Sequence, residues 1–324
     1  MPDIVAFIDL VGFGSMVTQD HNRAKEILTD FYNITYNIFK DEGDIKGSLI
    51  SDSLIAYSNQ EEKLVNALTR LYRDCFKKND EYANSDNFFL LPRGGVSFGI
   101  FKVQELNELP NLTKEFIISP ALVHSARIEA SIKGSRLLLG ARSNGGEDSV
   151  TWNTKIKSIL YQDNSISLWG DYKYMDALWF LDLNKDRVHQ EEEILELLNL
   201  AINFVQQNDS RDKHLNQYIN TLRIGLLSYS KFINIRSEDP IISRLIDDFQ
   251  DSKYWFIWLT IIEMIMESPD SWALPNQDYI IKFYKSVSIK KGWSHVIEEV
   301  NKPEMDYLKQ DFNSFLDEML PISG

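Results

Sequence analysis

The sequence predicts an α+β protein in two parts: a sheet with covering helices over residues 1–185, and an all-helical region over 186–324. Three observations carry this. Ile4–Ile8 is continuously apolar, as a strand buried on both faces should be. Short apolar runs and amphipathic stretches then interleave, which implies a sheet layered with helices. Beyond residue 185 almost every apolar pattern has helical spacing, and Pro240, Pro269, Pro275 and Pro303 punctuate the segments.

Each element has its own reason. From Asn22 to Lys40, the residues Ala24, Ile27, Leu28, Phe31, Ile34 and Ile38 recur at helical spacing. Gly47–Ile50 and Leu54–Tyr57 are short strands joined by Ser51-Asp52-Ser53, a hairpin with an aspartate at its tip. Glu61–Lys78 is a second amphipathic helix, with Leu64, Ala67, Leu68, Leu71 and Cys75 on one face. Gly95–Val103 is expected as one long strand, and Pro120–Ile132 as a helix opened by Ser119-Pro120, a cap residue and a first-turn proline. Leu137–Leu139 is another buried strand, and Ser158–Leu183 supplies the rest of the sheet. Further helices are expected around 190–208, 212–234, 239–250, 252–267, 276–290 and 303–319.

Composition excludes several classes. A net charge of −14 with no Lys/Arg run opposes nucleic-acid binding. A single cysteine, Cys75, leaves no intrachain disulfide and no cysteine-based zinc site, which fits a cytoplasmic protein. Met1–Val11 lacks a basic start and a cleavage site, so no secretory leader is expected. Tyr254–Met266, the longest apolar run, falls short of the about 20 residues a membrane span needs and contains Glu263, so it reads as a buried helix.

Two aspartates stand out. Asp9 ends the first buried strand and precedes Val11-Gly12-Phe13-Gly14-Ser15, whose small residues expose backbone N–H groups. Asp52 tips the next hairpin, and antiparallel pairing would bring both carboxylates to one edge of the sheet. Hard oxygen ligands beside such a turn are equipment for a divalent cation and a polyphosphate. Alone, either aspartate is as well read as a turn or cap residue.

At these residues the sequence resembles the class III nucleotidyl cyclases. Phe7-Ile8-Asp9-Leu10-Val11-Gly12-Phe13 is similar to their opening motif, and Ile50-Ser51-Asp52-Ser53-Leu54-Ile55-Ala56 to their second metal motif, with Ser51 in place of glycine. Arg93-Gly94-Gly95-Val96-Ser97-Phe98-Gly99 resembles a further strand, and Ala126-Arg127-Ile128-Glu129 the end of a helix motif; all four occur in order within about residues 4–183. The resemblance implies a ferredoxin-like catalytic core over 1–185 that converts a nucleoside triphosphate to a 3′,5′-cyclic monophosphate and pyrophosphate. It implies two Mg²⁺ or Mn²⁺ ions held by Asp9, Asp52 and the Leu10 carbonyl. Val11, Gly12, Phe13 and Gly14 would cradle the triphosphate, and Arg127 would stabilise charge at the α-phosphate. The active sites would be shared across a head-to-tail homodimer.

The departures carry information too. The family's transition-state asparagine falls on Val123, its purine-reading lysine or glutamate on Ser48, and its second base reader near Phe116. Lys173 is a candidate for the triphosphate lysine. The absent purine readers, with the helical extension, resemble the pyrimidine cyclases of bacterial anti-phage signalling (the Pycsar type), which make cyclic UMP or cyclic CMP. The alternatives are an adenylyl or guanylyl cyclase, a catalytically degenerate nucleotide-binding module, and a serine hydrolase. The last rests on Gly95-Val96-Ser97-Phe98-Gly99, which matches a nucleophile elbow only if Ser97 opens a helix near His124 or His189. Gly145-Gly146-Glu147-Asp148 reads as a solvent loop.

Overall fold

The computed structural model describes residues 3–82, 89–105, 115–142, 152–162, 168–170, 172–182, 184–185, 187–208 and 212–232, with isolated positions from 241 to 260. Two compact units divide the chain, Met1–Thr221 and Leu222–Gly324. The sheet-bearing unit thus runs beyond residue 185, where the sequence changes character. The class is α+β, as expected.

Strand β1 (Asp3–Leu10) lies inside a seven-stranded sheet of order β2-β3-β1-β4-β7-β9-β8. Its neighbours are β3 (Ser53–Ser58) and β4 (Pro92–Gly99), both antiparallel to it. The sheet is completed by β2 (Lys46–Ile50), β7 (Leu137–Arg142), β8 (Leu160–Gln162) and β9 (Tyr172–Ala177). β4 and β7 run parallel, which demands a crossover, and helix α4 (Pro120–Ser131) lies on that connection. The predicted single strand Gly95–Val103 is in fact two. β4 stops at Gly99, and β5 (Lys102–Glu105) pairs with β6 (Glu115–Ile118) in a separate ribbon. The break lets Phe101 turn back into an apolar cluster with Val5, Ile55 and Ala121, where it stacks on Tyr57 at 4.1 Å.

The hairpin is tighter than expected: β2 and β3 are joined by Ser51 and Asp52 alone, with Ile50 opposite Ser53. Ser51 takes a φ of 54°, and its carbonyl accepts a hydrogen bond from the Tyr32 hydroxyl at 2.9 Å. Helix α1 (Phe13–Gln19) leads into α2 (His21–Phe39), capped by the Asp20 side chain on the Arg23 N–H. Helix α3 (Glu61–Lys78) buries Leu64, Ala67, Leu68, Leu71 and Cys75 as predicted, with glutamates in its first turn and lysines in its last, matching the helix dipole. A short α5 (Thr154–Lys157) precedes β8, and α6 (Arg187–Gln207) and α7 (Asp212–Phe232) follow the sheet. The helices expected from 239 onward, including the Tyr254–Met266 run, and the Gly145–Asp148 loop lie outside the described residues apart from isolated positions. No helix among the described residues is long and apolar enough to cross a membrane.

α4 lies directly on the strands. A Cβ at Gly95 would come within 2.3 Å of the Ser125 carbonyl oxygen, so this close approach requires glycine. Ser125 Oγ donates to the Val5 carbonyl at 2.9 Å. Since side chains alternate along a strand, Val5, Phe7 and Asp9 share the face toward α4. Their cross-strand partners Ser53 and Ile55 on β3, and Arg93 and Gly95 on β4, share it with them.

Candidate active site

Asp9 occupies the last turn-ward position of that face, directly opposite Ser53 on one side and Arg93 on the other. Ser53 Oγ donates a hydrogen bond to its Oδ1 at 2.9 Å. Arg93 is not free to neutralise it. Its Nε donates to Glu129 Oε1 at 2.5 Å, Nη2 pairs with the same carboxylate, and Nη1 reaches the Ile132 carbonyl. Burial, and then the charge of Asp52, push the Asp9 carboxyl up to about 6; the Ser53 hydrogen bond opposes this, Glu129 adds to it, and Arg93 opposes it more weakly. The structure therefore does bring Asp9 and Asp52 together, at a place where negative charge exceeds what nearby cations offset.

The donor set suits a small divalent cation. Mg²⁺ and Mn²⁺ favour hard oxygens, need few protein carboxylates, and leave positions for phosphate and water. Among the described residues no group of three or more His, Cys, Asp or Glu gathers to hold a metal. Leu10 is buried, opposite Pro92 in the register of β1 and β4.

The other expected residues are placed as follows. Val11 and Gly12 form the turn, with the Val11 N–H donating to the Leu91 carbonyl at 2.9 Å and Gly12 at a φ of 76°. Phe13 and Gly14 are not loop residues, as the glycine pattern suggested, but the first turn of α1; buried Phe13 and Met16 pull that segment into a helix. A Cβ at Gly12 or Gly14 would meet nothing within 4 Å, so the turn is open on that side. Ser48 is half-buried on β2 opposite Ile55, on the same face of the sheet as Asp9. Phe116 pairs through its backbone with Gln104, and its side chain lies outside the described residues. Val123 and Arg127, one helical turn apart on α4, are both exposed, and Arg127 is not among the groups that act on Asp9. Lys173 is exposed on β9 opposite Ala141.

Sequence reasoning gave Arg93 and Glu129 no role, although both fall in motifs. That they meet across 36 residues is a tertiary fact. Ser97 lies in a strand, as the apolar run around it predicts, so the hydrolase alternative fails. Ser97 does lie 2.9 Å from His124 Nδ1, but it sits inside β4, paired with Val5 and Gly140, and is fully buried. The other His124 nitrogen meets the Tyr174 hydroxyl at 3.1 Å rather than a carboxylate. A nucleophile must stand on an exposed turn, and this serine does not.

No model of a known protein family matches the sequence, and no curated protein matches it. Solved structures are similar at low identity. The catalytic core of a rhodopsin-guanylyl cyclase with converted specificity, in complex with ATPαS, is 13% identical, with a TM-score of 0.42 over 54% of this chain and 95% of that one. The guanylate cyclase domain of RhGC from Catenaria anguillulae, in complex with GTP, is 12% identical, with a TM-score of 0.40 over 54% of this chain and 95% of that one. Adenylate cyclases from Trypanosoma brucei are 11% identical, with a TM-score of 0.41 over 55% of this chain and 90% of that one.

Proposed function

We propose that this chain is a nucleotidyl cyclase that converts a nucleoside triphosphate to a 3′,5′-cyclic monophosphate and pyrophosphate. The observation that carries the reading is the under-compensated pair Asp9 and Asp52 at the end of β1, beside the open Gly12 turn. The four ordered motifs support it. In the reaction the ribose 3′-oxygen bonds to the α-phosphorus and gives up its proton. The bond from that phosphorus to the β-phosphate oxygen breaks, and its electron pair leaves with pyrophosphate. Two divalent cations, when bound at Asp9, Asp52 and the Leu10 carbonyl, would ease ionisation of the attacking hydroxyl and draw charge from the leaving group. Ser53 holds one Asp9 oxygen in place, and Glu129 keeps Arg93 from collapsing onto the pair. Val11, Gly12, Phe13 and Gly14 border the space for the triphosphate, and Arg127 meets charge developing at the α-phosphate.

Arg127 stands on the outer face of α4, away from the carboxylates of its own chain, which supports sites shared in a homodimer. Exposed Ile118 and Val123 offer apolar surface for that contact. A pyrimidine substrate is the finer proposal. Purine discrimination relies on buried polar groups matched to the base, and Ser48 is too short to replace a lysine or glutamate. A cyclic UMP or cyclic CMP product would fit the resemblance to anti-phage signalling enzymes. A non-catalytic nucleotide-binding module is the second reading, favoured by Val123, which cannot hydrogen-bond a ribose. The deciding experiment incubates the protein with equimolar ATP, GTP, UTP and CTP and Mn²⁺, and identifies products by mass. Cyclic UMP or cyclic CMP as the main product is expected. Cyclic AMP or cyclic GMP would overturn the base preference alone, and no cyclic product would overturn the cyclase reading.

A further inference from the structure

We propose that Trp169 is the positioning residue of Arg127, an inference that rests on the cyclase reading above. Arg127 is an exposed side chain on α4, and no ion pair or hydrogen bond from the described residues engages its guanidinium. What it does meet is an aromatic ring: its Cζ lies 5.4 Å from the Trp169 ring centroid, within cation–π range.

Trp169 is itself held. Its ring packs at 3.9 Å on His124, one turn before Arg127 on the same helix, and at 5.4 Å on Tyr172. Tyr172 in turn meets His124 edge-on at 4.3 Å, and the Tyr172 N–H donates to the Trp169 carbonyl at 3.0 Å. His124 is only 1% exposed and is fixed at both ring nitrogens, by Ser97 Oγ at 2.9 Å and the Tyr174 hydroxyl at 3.1 Å. Polar contacts buried between α4, β4 and β9 thus set the angle of one half-buried tryptophan, and that tryptophan offers its ring to the arginine.

An exposed arginine samples many rotamers, and rate is lost whenever a charge-stabilising group must be ordered during the reaction. A fixed ring narrows those rotamers beforehand. The buried Ser97–His124 pair, which makes no nucleophile, then has a use: it anchors the ring.

The test combines contact and turnover in the full-length protein. With 5-fluorotryptophan incorporated, the Trp169 ¹⁹F resonance is identified by its loss in Trp169→Phe and followed in Arg127→Ala. A shift there is expected without any nucleotide, and an unmoved resonance overturns the proposal. Trp169→Leu is expected to lower kcat about tenfold with KM within about twofold, because Arg127 acts on charge that develops late, while Trp169→Phe retains most of the rate. In an Arg127→Lys background, which lacks the planar face, Trp169→Leu should cost less than about threefold further. Full additivity of the two losses would make Trp169 a packing residue and overturn the proposal. Wild-type protein inactive toward all four nucleotides would instead overturn the cyclase reading on which it rests.

Discussion

Asp9 combines two demands that oppose each other. Its carboxylate is half-buried and faces Asp52, so the folded protein holds its proton up to about 6, above the ordinary 3.8. Between those values the folded state binds more protons than the unfolded one, and metal-free stability falls as pH rises through that window. Asp9→Asn keeps the acceptor for Ser53 and removes the charge. In chelator, the variant should therefore melt above wild type at pH 7.5, and the gap should close by about pH 4, as scanning calorimetry would read. Its activity should fall at least about 100-fold, since one charge of the proposed cation site is gone. A variant that is active, or that melts below wild type at neutral pH, would refute this account of the carboxylate. Mn²⁺ should reverse the order of melting, raising wild type and leaving the variant almost unmoved.

Among the elements, the β2–β3 hairpin has the clearest local cost. A two-residue loop forces one residue to a positive φ, and here Ser51 adopts 54° where the resembling motif has glycine. A side chain in that region is strained by about 1 kcal/mol, partly offset by the Tyr32 hydrogen bond to the Ser51 carbonyl. Ser51→Gly should raise stability by roughly 0.5–1 kcal/mol in urea titrations, with an unchanged m-value. Equal or lower stability would mean the turn is not strained. Helix α4 makes the reverse case. Gly95→Ala would drive a methyl group into the Ser125 carbonyl and Ile128, and it should destabilise by about 1–3 kcal/mol. Retention of wild-type stability would mean α4 can lift off the strand, contrary to the packing described.

For the molecule as a whole, the separation of Arg127 from the carboxylates of its own chain leads to a complementation experiment. In the proposed homodimer, Asp9→Asn and Arg127→Ala proteins should each be nearly inactive alone. Mixed and verified as a heterodimer, they should recover about one competent site in two, because one interface then combines an intact carboxylate pair with an intact arginine. A heterodimer as inactive as its parents would place both halves of the site on one chain.

The residue pattern by itself determined the elements that local physics controls. β1, α2, α3, α4 and β7 were legible because their apolar spacing, caps and charges act within a few residues. Their order implied a sheet layered with helices, and the cyclase resemblance narrowed that to α+β. The two carboxylates were legible as candidates because one ends a buried strand and the other tips a hairpin. Three things needed the tertiary structure. The break after Gly99 depends on where Phe101 can be buried, not on the apolar run that contains it. The first turn of α1 forms because Phe13 and Met16 find a core, although the glycines around them suggest a loop. The raised Asp9 carboxyl depends on Asp52, on burial, and on an Arg93 already claimed by Glu129, groups far apart in sequence. Local sequence specifies backbone preference over a few residues, whereas desolvation and charge pairing depend on which distant side chains the closed sheet and α4 bring into contact.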